Sequence, residues 1–351
     1  MQNSNLQIVG DIAVLNLYGT WYQMGCQYGV LARSRMEDVL CYLDRKLTER
    51  GDKREEAADI AEKLYSGYPS HLKSFLKGVD ETSGLGFDRV KLCNAAEYVE
   101  GLFLCSAMAV WSDYGTGKLV FGRNYDAVNY SEICRDIVVT VFHPEEGIPA
   151  ATVGYAGEFY CVNGINACGL FLELNNGMPS AGEEIHWELC PSTTSLFNLL
   201  FNARTMDDVD RFFNDTRSFS SFIIGVADSR EARSYEWCYD GVRRGDRCLD
   251  TGLMASANHY VNPAWKFPET DDAHSWNSLS RYRNILDMAE RNKGEIGVER
   301  MKELMSESIE NGGPRHKFTR YQIVAVPEEL CLHICLPCYG RWSEIRMGEM
   351  F

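Results

Sequence analysis

Positive charge is scarce in this sequence. Its 351 residues include 35 Lys and Arg against 50 Asp and Glu, which gives a formal net charge of −15. A protein that binds nucleic acid needs a basic face to neutralise phosphates, so the composition argues against nucleic acid as a partner. The acidity favours either a cationic substrate or a solvated surface that keeps the protein in solution.

Long apolar segments are also missing. No apolar run approaches the roughly 20 residues that a membrane-crossing helix requires, so no membrane partner is expected. The first 20 residues contain no Lys or Arg, and Asp11 interrupts their apolar stretch, which does not fit a signal peptide. We therefore expect a cytoplasmic location.

Cysteine is abundant but lacks the tight spacing of a disulfide framework. Because the 13 cysteines are odd in number and scattered, most are expected to be reduced core residues, which favours a reducing compartment. Cys331, His333 and Cys335 alternate along one predicted strand, and Cys335 with Cys338 forms a CxxC pair. A zinc site usually needs two such clusters, so we expect a buried strand and a proline turn here, with no metal and no cofactor.

The spacing of apolar residues changes once along the chain. Up to about residue 99, after one predicted strand in "QIVGDIAVLNLYG", they recur every three or four residues, which predicts a series of helices. From residue 105 the period is two, with turn residues between strands and two embedded helical stretches. Runs of strands followed by helices predict an α+β fold, and we find no linker rich in Pro, Gly or Ser that would divide it.

Cys105 stands where the helical pattern gives way to strands. A thiol that performs acyl transfer needs a base, donors for the oxyanion and access to substrate. None of the seven histidines sits in a recognisable partner motif. The α-amino group of a new chain terminus, with a reference pKa of roughly 8, is a usable base, but it requires cleavage between Leu104 and Cys105. Taken alone, Cys105 also fits a buried core cysteine.

Six stretches resemble one enzyme family, in the family's order along the chain. They are "YGTWYQMGCQYG", "CSAMAVWSDYGTGKLVFGRNYD", "NACGLFLELNNG", "SANHYVNP", "LSRYRNI" and "LPCYGRWSEIRM". Together they resemble the acyl-CoA:6-aminopenicillanate acyltransferase family of N-terminal-nucleophile (Ntn) hydrolases, which is related to choloylglycine hydrolase and penicillin V acylase. The resemblance implies a four-layer αββα sandwich, with a helical N-terminal pro-segment at residues 1–104 and a catalytic chain at residues 105–351.

The resemblance also assigns a site. The positions that match the family's catalytic residues are Cys105, Arg123, Asp126, Asn175, Asn258 and Arg281. Cys105 corresponds to the nucleophile, which autocleavage after Leu104 would expose. Arg123 is a permanent cation that we expect to lower the thiol pKa, and Asp126 is expected to accept a hydrogen bond from the new ammonium group.

The remaining three residues are polar partners of the reaction. Asn175 corresponds to an oxyanion donor, and Asn258 corresponds to a residue that orients the amine or the tetrahedral intermediate. Arg281 corresponds to the remaining charged residue of the family's active site. Successive strand residues face opposite ways, so only one of Asn175 and Asn176 faces the site, and the sequence leaves open which. Turn-forming roles for the asparagines and a surface role for Arg281 remain alternatives.

The function that the resemblance implies is cleavage of a linear amide in a small-molecule N-acyl substrate, through a thioester at Cys105. An acyltransferase that uses the same thioester is one alternative. An unprocessed binding relative is another, because Leu104 stands where the acyltransferases often have a small residue. Bile salts, penicillins, N-acyl amino acids and peptide-like amides all stay open as substrates, and so does homo-oligomer formation.

Overall fold

The structure is a computed structural model that describes residues 4–51, 53–100, 103–182, 184–246, 252–267, 271–273 and 275–351. Its strands are β1 (Asn5–Val9), β2 (Ile12–Gly19), β3 (Phe103–Val110), β4 (Val120–Ala127), β5 (Ile137–Pro144), β6 (Ala150–Tyr155), β7 (Asn163–Asn166), β8 (Phe171–Asn176), β9 (Phe222–Ala227), β10 (Ala232–Cys238), β11 (Gly241–Arg244), β12 (Leu253–Ser256), β13 (Thr319–Val326), β14 (Cys331–Leu336) and β15 (Arg341–Arg346). Its helices are α1 (Trp21–Leu31), α2 (Arg33–Glu49), α3 (Arg54–Ser66), α4 (Ser70–Ser83), α5 (Phe87–Asn94), α6 (Ala96–Glu100), α7 (Met178–Ala181), α8 (Ser192–Asn202), α9 (Met206–Asp215), α10 (Ser278–Arg291) and α11 (Val298–Ser306).

The strands form two stacked sheets. The larger has the order β1-β2-β5-β6-β7-β8-β9-β10-β11, and the smaller has the order β12-β3-β4-β13-β14-β15. The sheets contact each other where β3 meets β8 and β12 meets β10. Helices α1 and α8 pack on the larger sheet, and α10 and α11 pack on the smaller one. This succession of layers confirms the predicted α+β class and the αββα sandwich.

The N-terminal segment contributes strands as well as helices. The stretch predicted as one strand is a hairpin of β1 and β2, because Gly10 adopts a left-handed conformation, with φ of 61°, at the turn. Strand β2 then runs parallel to β5, so this segment is built into the larger sheet. The helical pattern predicted up to about residue 99 is confirmed by α1 to α6.

Helices α1 and α4 cross at very close range. A Cβ atom at Gly25 would lie 2.1 Å from the carbonyl oxygen of Phe75, and one at Gly78 would lie 2.3 Å from that of Tyr22. At Gly29 a Cβ would meet the α4 backbone at 2.6 Å. The glycines four apart on α1 therefore serve helix packing, as their spacing indicates.

The cysteines are mostly free thiols. Ten described cysteines are free and six of these are buried, in agreement with the expectation of reduced core residues. Cys134 and Cys338 form a disulfide instead, so Cys338 does not pair with Cys335 as a CxxC motif. Within the described ranges, none of the helices combines the length and apolar character of a membrane span.

Candidate active site

The hairpin of β3 and β4 brings the candidate nucleophile next to a cation. In this antiparallel pair Cys105 lies opposite Tyr125, and Ala107 lies opposite Arg123. The guanidinium of Arg123 reaches the thiol, and its Nη2 donates to Cys105 Sγ at 3.2 Å. All eight residues of β4 are buried, so this contact lies inside the sandwich.

Burial governs the acidity of this thiol. Cys105 is only 1% exposed, and burial raises its pKa to about 12, while the charge of Arg123 acts in the opposite direction. Arg123 does lower the pKa of the thiol, but in the intact chain desolvation outweighs the nearby cation and the net pKa is raised. The thiol is protonated at neutral pH and needs a base to react.

The backbone of Cys105 is held on both sides of the residue. Its N–H donates to Asn258 Oδ1 at 3.0 Å, and its carbonyl oxygen accepts from Arg281 Nη1 at 2.5 Å. Arg281 Nη2 also donates to Asn258 Oδ1, at 2.7 Å. Asn258 follows the strand β12, which pairs with β3, and Arg281 projects from α10. These two residues fix the peptide groups on both sides of Cys105.

Asp126 belongs to this backbone side of the site. Its Oδ1 accepts a hydrogen bond from Thr319 Oγ1 at 2.5 Å, and its Oδ2 lies 3.7 Å from Arg281 Nη1. Among the described residues Oδ2 has no hydrogen-bond donor. Burial raises the pKa of Asp126 to about 6, and the positive charge of Arg281 limits the rise. In the intact chain the backbone nitrogen of Cys105 donates to Asn258 rather than to Asp126.

Asn175 reaches the sulfur side of the site from β8 in the other sheet. Its Oδ1 accepts from Arg123 Nη1 at 2.7 Å, and its Nδ2 donates to Ser256 Oγ at 2.8 Å and to Glu173 Oε1 at 3.2 Å. Both amide hydrogens are therefore engaged in the intact chain. The neighbouring Asn176 contributes only its backbone carbonyl, so the side chain that joins the cluster is that of Asn175.

The carbonyl of Asn176 completes the bonding of Asn258, because it accepts from Asn258 Nδ2 at 2.8 Å. Asn258 thus links β8 of one sheet to Cys105 on β3 of the other. The structure brings all six predicted site residues together in one buried cluster. Arg123 and Asn175 lie beside the sulfur, and Asp126, Asn258 and Arg281 lie beside the backbone.

Glu173 is a member of the cluster that the sequence analysis did not single out. Its Oε2 forms an ion pair with Arg123, and both side chains are 0% exposed. Burial raises the pKa of Glu173 to about 7, and the charge of Arg123 limits the rise. The available signal was a charged residue in an apolar strand, two positions before Asn175 and therefore on the same face.

Leu104 and the bond that follows it lie within β3. Leu104 is buried and pairs with Asp126 across the β3–β4 ladder. Within the described part of the chain, no three His, Cys, Asp or Glu side chains are grouped as a metal ion would require. The cluster at Cys105 consists of a thiol, two guanidinium groups, two carboxylates and amides, which is a set suited to acyl transfer.

No protein-family model matches this sequence, and no curated protein matches it. Solved structures do match. An N-acylethanolamine-hydrolysing acid amidase ortholog from Caenorhabditis elegans is 16% identical with a TM-score of 0.50, over 69% of this chain and 99% of that chain. A variant of the conjugated bile acid hydrolase from Clostridium perfringens is 11% identical with a TM-score of 0.50, over 70% of this chain and 93% of that chain. The chain therefore has the αββα fold of the Ntn hydrolases.

Proposed function

We propose that this protein is an autoprocessed cysteine Ntn hydrolase that cleaves a linear amide bond of a small-molecule N-acyl substrate. The observation that carries the proposal is the separate bonding of two atoms of Cys105. The sulfur accepts from Arg123 at 3.2 Å, and the backbone nitrogen donates to Asn258 at 3.0 Å. A core cysteine requires neither contact, whereas an N-terminal nucleophile uses both atoms. Two of the matching structures are named as an amidase and a hydrolase, which suits the same chemistry.

In the first proposed step the nucleophile becomes a chain terminus. Cys105 Sγ attacks the carbonyl carbon of Leu104, the C–N bond between the two residues breaks, and the thiol proton passes to the nitrogen. Water then hydrolyses the thioester and leaves a carboxylate on Leu104 and a free amino group on Cys105. Asn258, which already accepts a hydrogen bond from this nitrogen, keeps it in place. The pro-segment at 1–104 stays attached through β2 in the larger sheet.

In turnover the new α-amino group takes the thiol proton. Its reference pKa of roughly 8 makes it an effective base near neutral pH. The resulting thiolate is stabilised by Arg123, and the ammonium can donate to the uncommitted Oδ2 of Asp126. The thiolate attacks the substrate carbonyl, the amine leaves with the ammonium proton, and water resolves the thioester on Cys105.

Asn175 is the proposed donor to the oxyanion. Both of its amide hydrogens are engaged in the intact chain, so one bond must open as the intermediate forms. The 3.2 Å bond to Glu173 is the longer one, and its exchange for an oxyanion leaves the 2.8 Å bond to Ser256 in place. An amide donor needs no change of protonation to do this.

Mass spectrometry of the purified protein tests the proposal. We expect two fragments, the second beginning at Cys105, and release of amine from members of a panel of N-acyl amides. Cys105→Ala should abolish both. Cys93→Ala is the matched control, because Cys93 is equally buried but bonds only to the backbone oxygen of Ala156. An intact wild-type chain with activity, or an active Cys105→Ala variant, would overturn the proposal.

The same assay separates hydrolysis from acyl transfer. Both routes share the thioester at Cys105 and differ only in the acceptor that resolves it. Addition of a simple amine to the reaction should leave the free acid as the main product if water is the acceptor. Conversion of most of the acyl group into a new amide would show that the protein is an acyltransferase.

A further inference from the structure

We infer that Glu173 is a positioning residue of the proposed active site, whose carboxylate fixes Arg123 and Asn175 and offsets the positive charge beside the thiol. Its catalytic consequence rests on the proposed function, whereas its effect on the thiol does not. The resemblance to the Ntn hydrolases assigned no role to this position.

The contacts of Arg123 show how the carboxylate orients it. One terminal nitrogen, Nη1, is bound by Glu173 Oε2 and by Asn175 Oδ1, the latter at 2.7 Å. The other, Nη2, is thereby directed to Cys105 Sγ at 3.2 Å and to the carbonyl of Leu174 at 2.7 Å. Because the guanidinium is a planar fork, binding of one side determines where the other side points.

The fold makes room for this carboxylate. Glu173 on β8 lies opposite Gly225 on β9, and a Cβ atom at Gly225 would lie 2.7 Å from Glu173 Oε1 and 2.8 Å from the ring of Phe121. The same Oε1 accepts from Asn175 Nδ2 at 3.2 Å and from Ser256 Oγ at 3.4 Å. Both carboxylate oxygens therefore have donors, and two of these donors, Arg123 and Asn175, belong to the candidate site.

Charge adds a second effect to the geometry. Arg123 and Glu173 are fully buried and form a neutral pair, so the thiolate next to Arg123 gains less stabilisation than a lone cation would give. The charged and titratable groups that interact with the thiol or with Arg123 include Glu173, Asp126, Arg281, Tyr125, Tyr321, Glu97 and Cys161. Removal of the Glu173 charge alone leaves Arg123 unopposed on the sulfur side, and the pKa of Cys105 should fall.

Peptide-resolved alkylation of Cys105 with iodoacetamide tests the inference. Glu173→Gln keeps the shape but not the charge, and the pH at which Cys105 becomes reactive should fall by about one pH unit or more. Glu236→Gln is the matched control. Glu236 is equally buried, with a pKa raised to about 7 by burial, but it bonds the backbone nitrogens of Val261 and Asn262. This control should label with the wild-type profile.

An unchanged labelling profile in folded Glu173→Gln would overturn the inference, as would an equal shift in Glu236→Gln. If Glu173→Gln does not fold, Glu173→Asp serves in its place. It keeps the charge on a shorter side chain, so it should lower kcat without lowering the pH of alkylation; wild-type kcat would refute the positioning role. Fragment analysis of the wild-type chain reports the proposed function separately, because the alkylation shift is expected whether or not the chain is cleaved.

Discussion

Replacement of Asp126 by Asn should separate the stability of the site from its chemistry. In the folded chain, burial raises the pKa of Asp126 from an ordinary 3.8 to about 6. A carboxyl group with a raised pKa contributes its stability below its unfolded pKa, and this contribution is lost as the pH rises through the folded pKa. The difference of about two pH units corresponds to about 3 kcal/mol of unfolding free energy, lost between roughly pH 4 and pH 7.

Asn cannot ionise and escapes this loss. The free energy of unfolding of Asp126→Asn, relative to its parent, should therefore rise by about 3 kcal/mol between about pH 4 and about pH 8. Urea unfolding at the two pH values measures it, in a Cys105→Ala background that keeps every chain intact. Replacing the protonated carboxyl group by an amide also alters the contacts with Thr319 and Arg281, which changes the free energy of unfolding by the same amount at both pH values. Only the change with pH is therefore diagnostic.

Asp136 provides the matched control. Its pKa is also raised to about 6, chiefly by burial and then by Asp38, but it pairs with Arg35 at 3.6 Å and contacts none of the site residues. Asp136→Asn should show a similar change of stability with pH and, in a chain that retains Cys105, normal release of amine from an N-acyl amide. Asp126→Asn in that chain should release amine much more slowly, because the ammonium of Cys105 lacks its carboxylate acceptor. A stability difference independent of pH would refute the burial argument, and normal release of amine would refute the role given to Asp126.

Two further predictions concern the framework around the site. Gly25→Ala should lower the free energy of unfolding by about 1–3 kcal/mol, because the added Cβ meets the α4 backbone. Val30→Ala, on the exposed face of α1, should lower it far less in the same urea titration. Equal losses in the two variants would contradict the close helix crossing. Cys338→Ser should lower the free energy of unfolding by about 2–4 kcal/mol without reductant, because it removes the disulfide to Cys134. With reductant present, the substitution should change the free energy of unfolding little. Cys168→Ser, at an exposed free thiol, should be neutral in both conditions, and an effect of Cys338→Ser that persists under reductant would argue against the disulfide.

The fold class could be predicted from sequence because it depends on the period of the apolar residues. Individual strands were harder. β6 is rich in Ala and lacks clear alternation, β12 has only four residues, and β15 is a charged outer strand. In the alternating stretch "EFYCVNGIN", which reads as one strand, only Asn163–Asn166 forms a strand, β7. β12 is a strand because the distant β3 pairs with it, whereas β6, β7 and β15 pair with neighbouring strands in the chain. In each case the pairing, rather than a clear local pattern, makes the segment a strand.

The site shows the same division between local pattern and tertiary environment. The family resemblance selected six positions from 105 to 281, and the structure brings their side chains into one cluster. The sequence could not predict whether burial or the charge of Arg123 would dominate the pKa of Cys105. Arg123 beside Cys105 suggested an acidic thiol, but desolvation depends on how completely the two sheets close over the pair. Glu173 was missed because its partner lies on the opposite sheet.

Charge balance explains how such a site can exist before any cleavage. Arg123 pairs with Glu173 on the sulfur side of β3, and Arg281 lies beside Asp126 on the backbone side, so two cations face two carboxylates and all four side chains are fully buried. Buried charges are tolerated only when an opposite charge compensates them. Loss of one residue of a pair therefore leaves its partner as an uncompensated buried charge, which bears the full desolvation cost. The proposed hydrolysis leaves a carboxylate at Leu104 and an amino group at Cys105, and transfer of the thiol proton to that amino group then creates the ammonium and the thiolate as a neutral pair. The donors and acceptors thus need little rearrangement when the nucleophile forms, which is the preorganisation that acyl transfer requires.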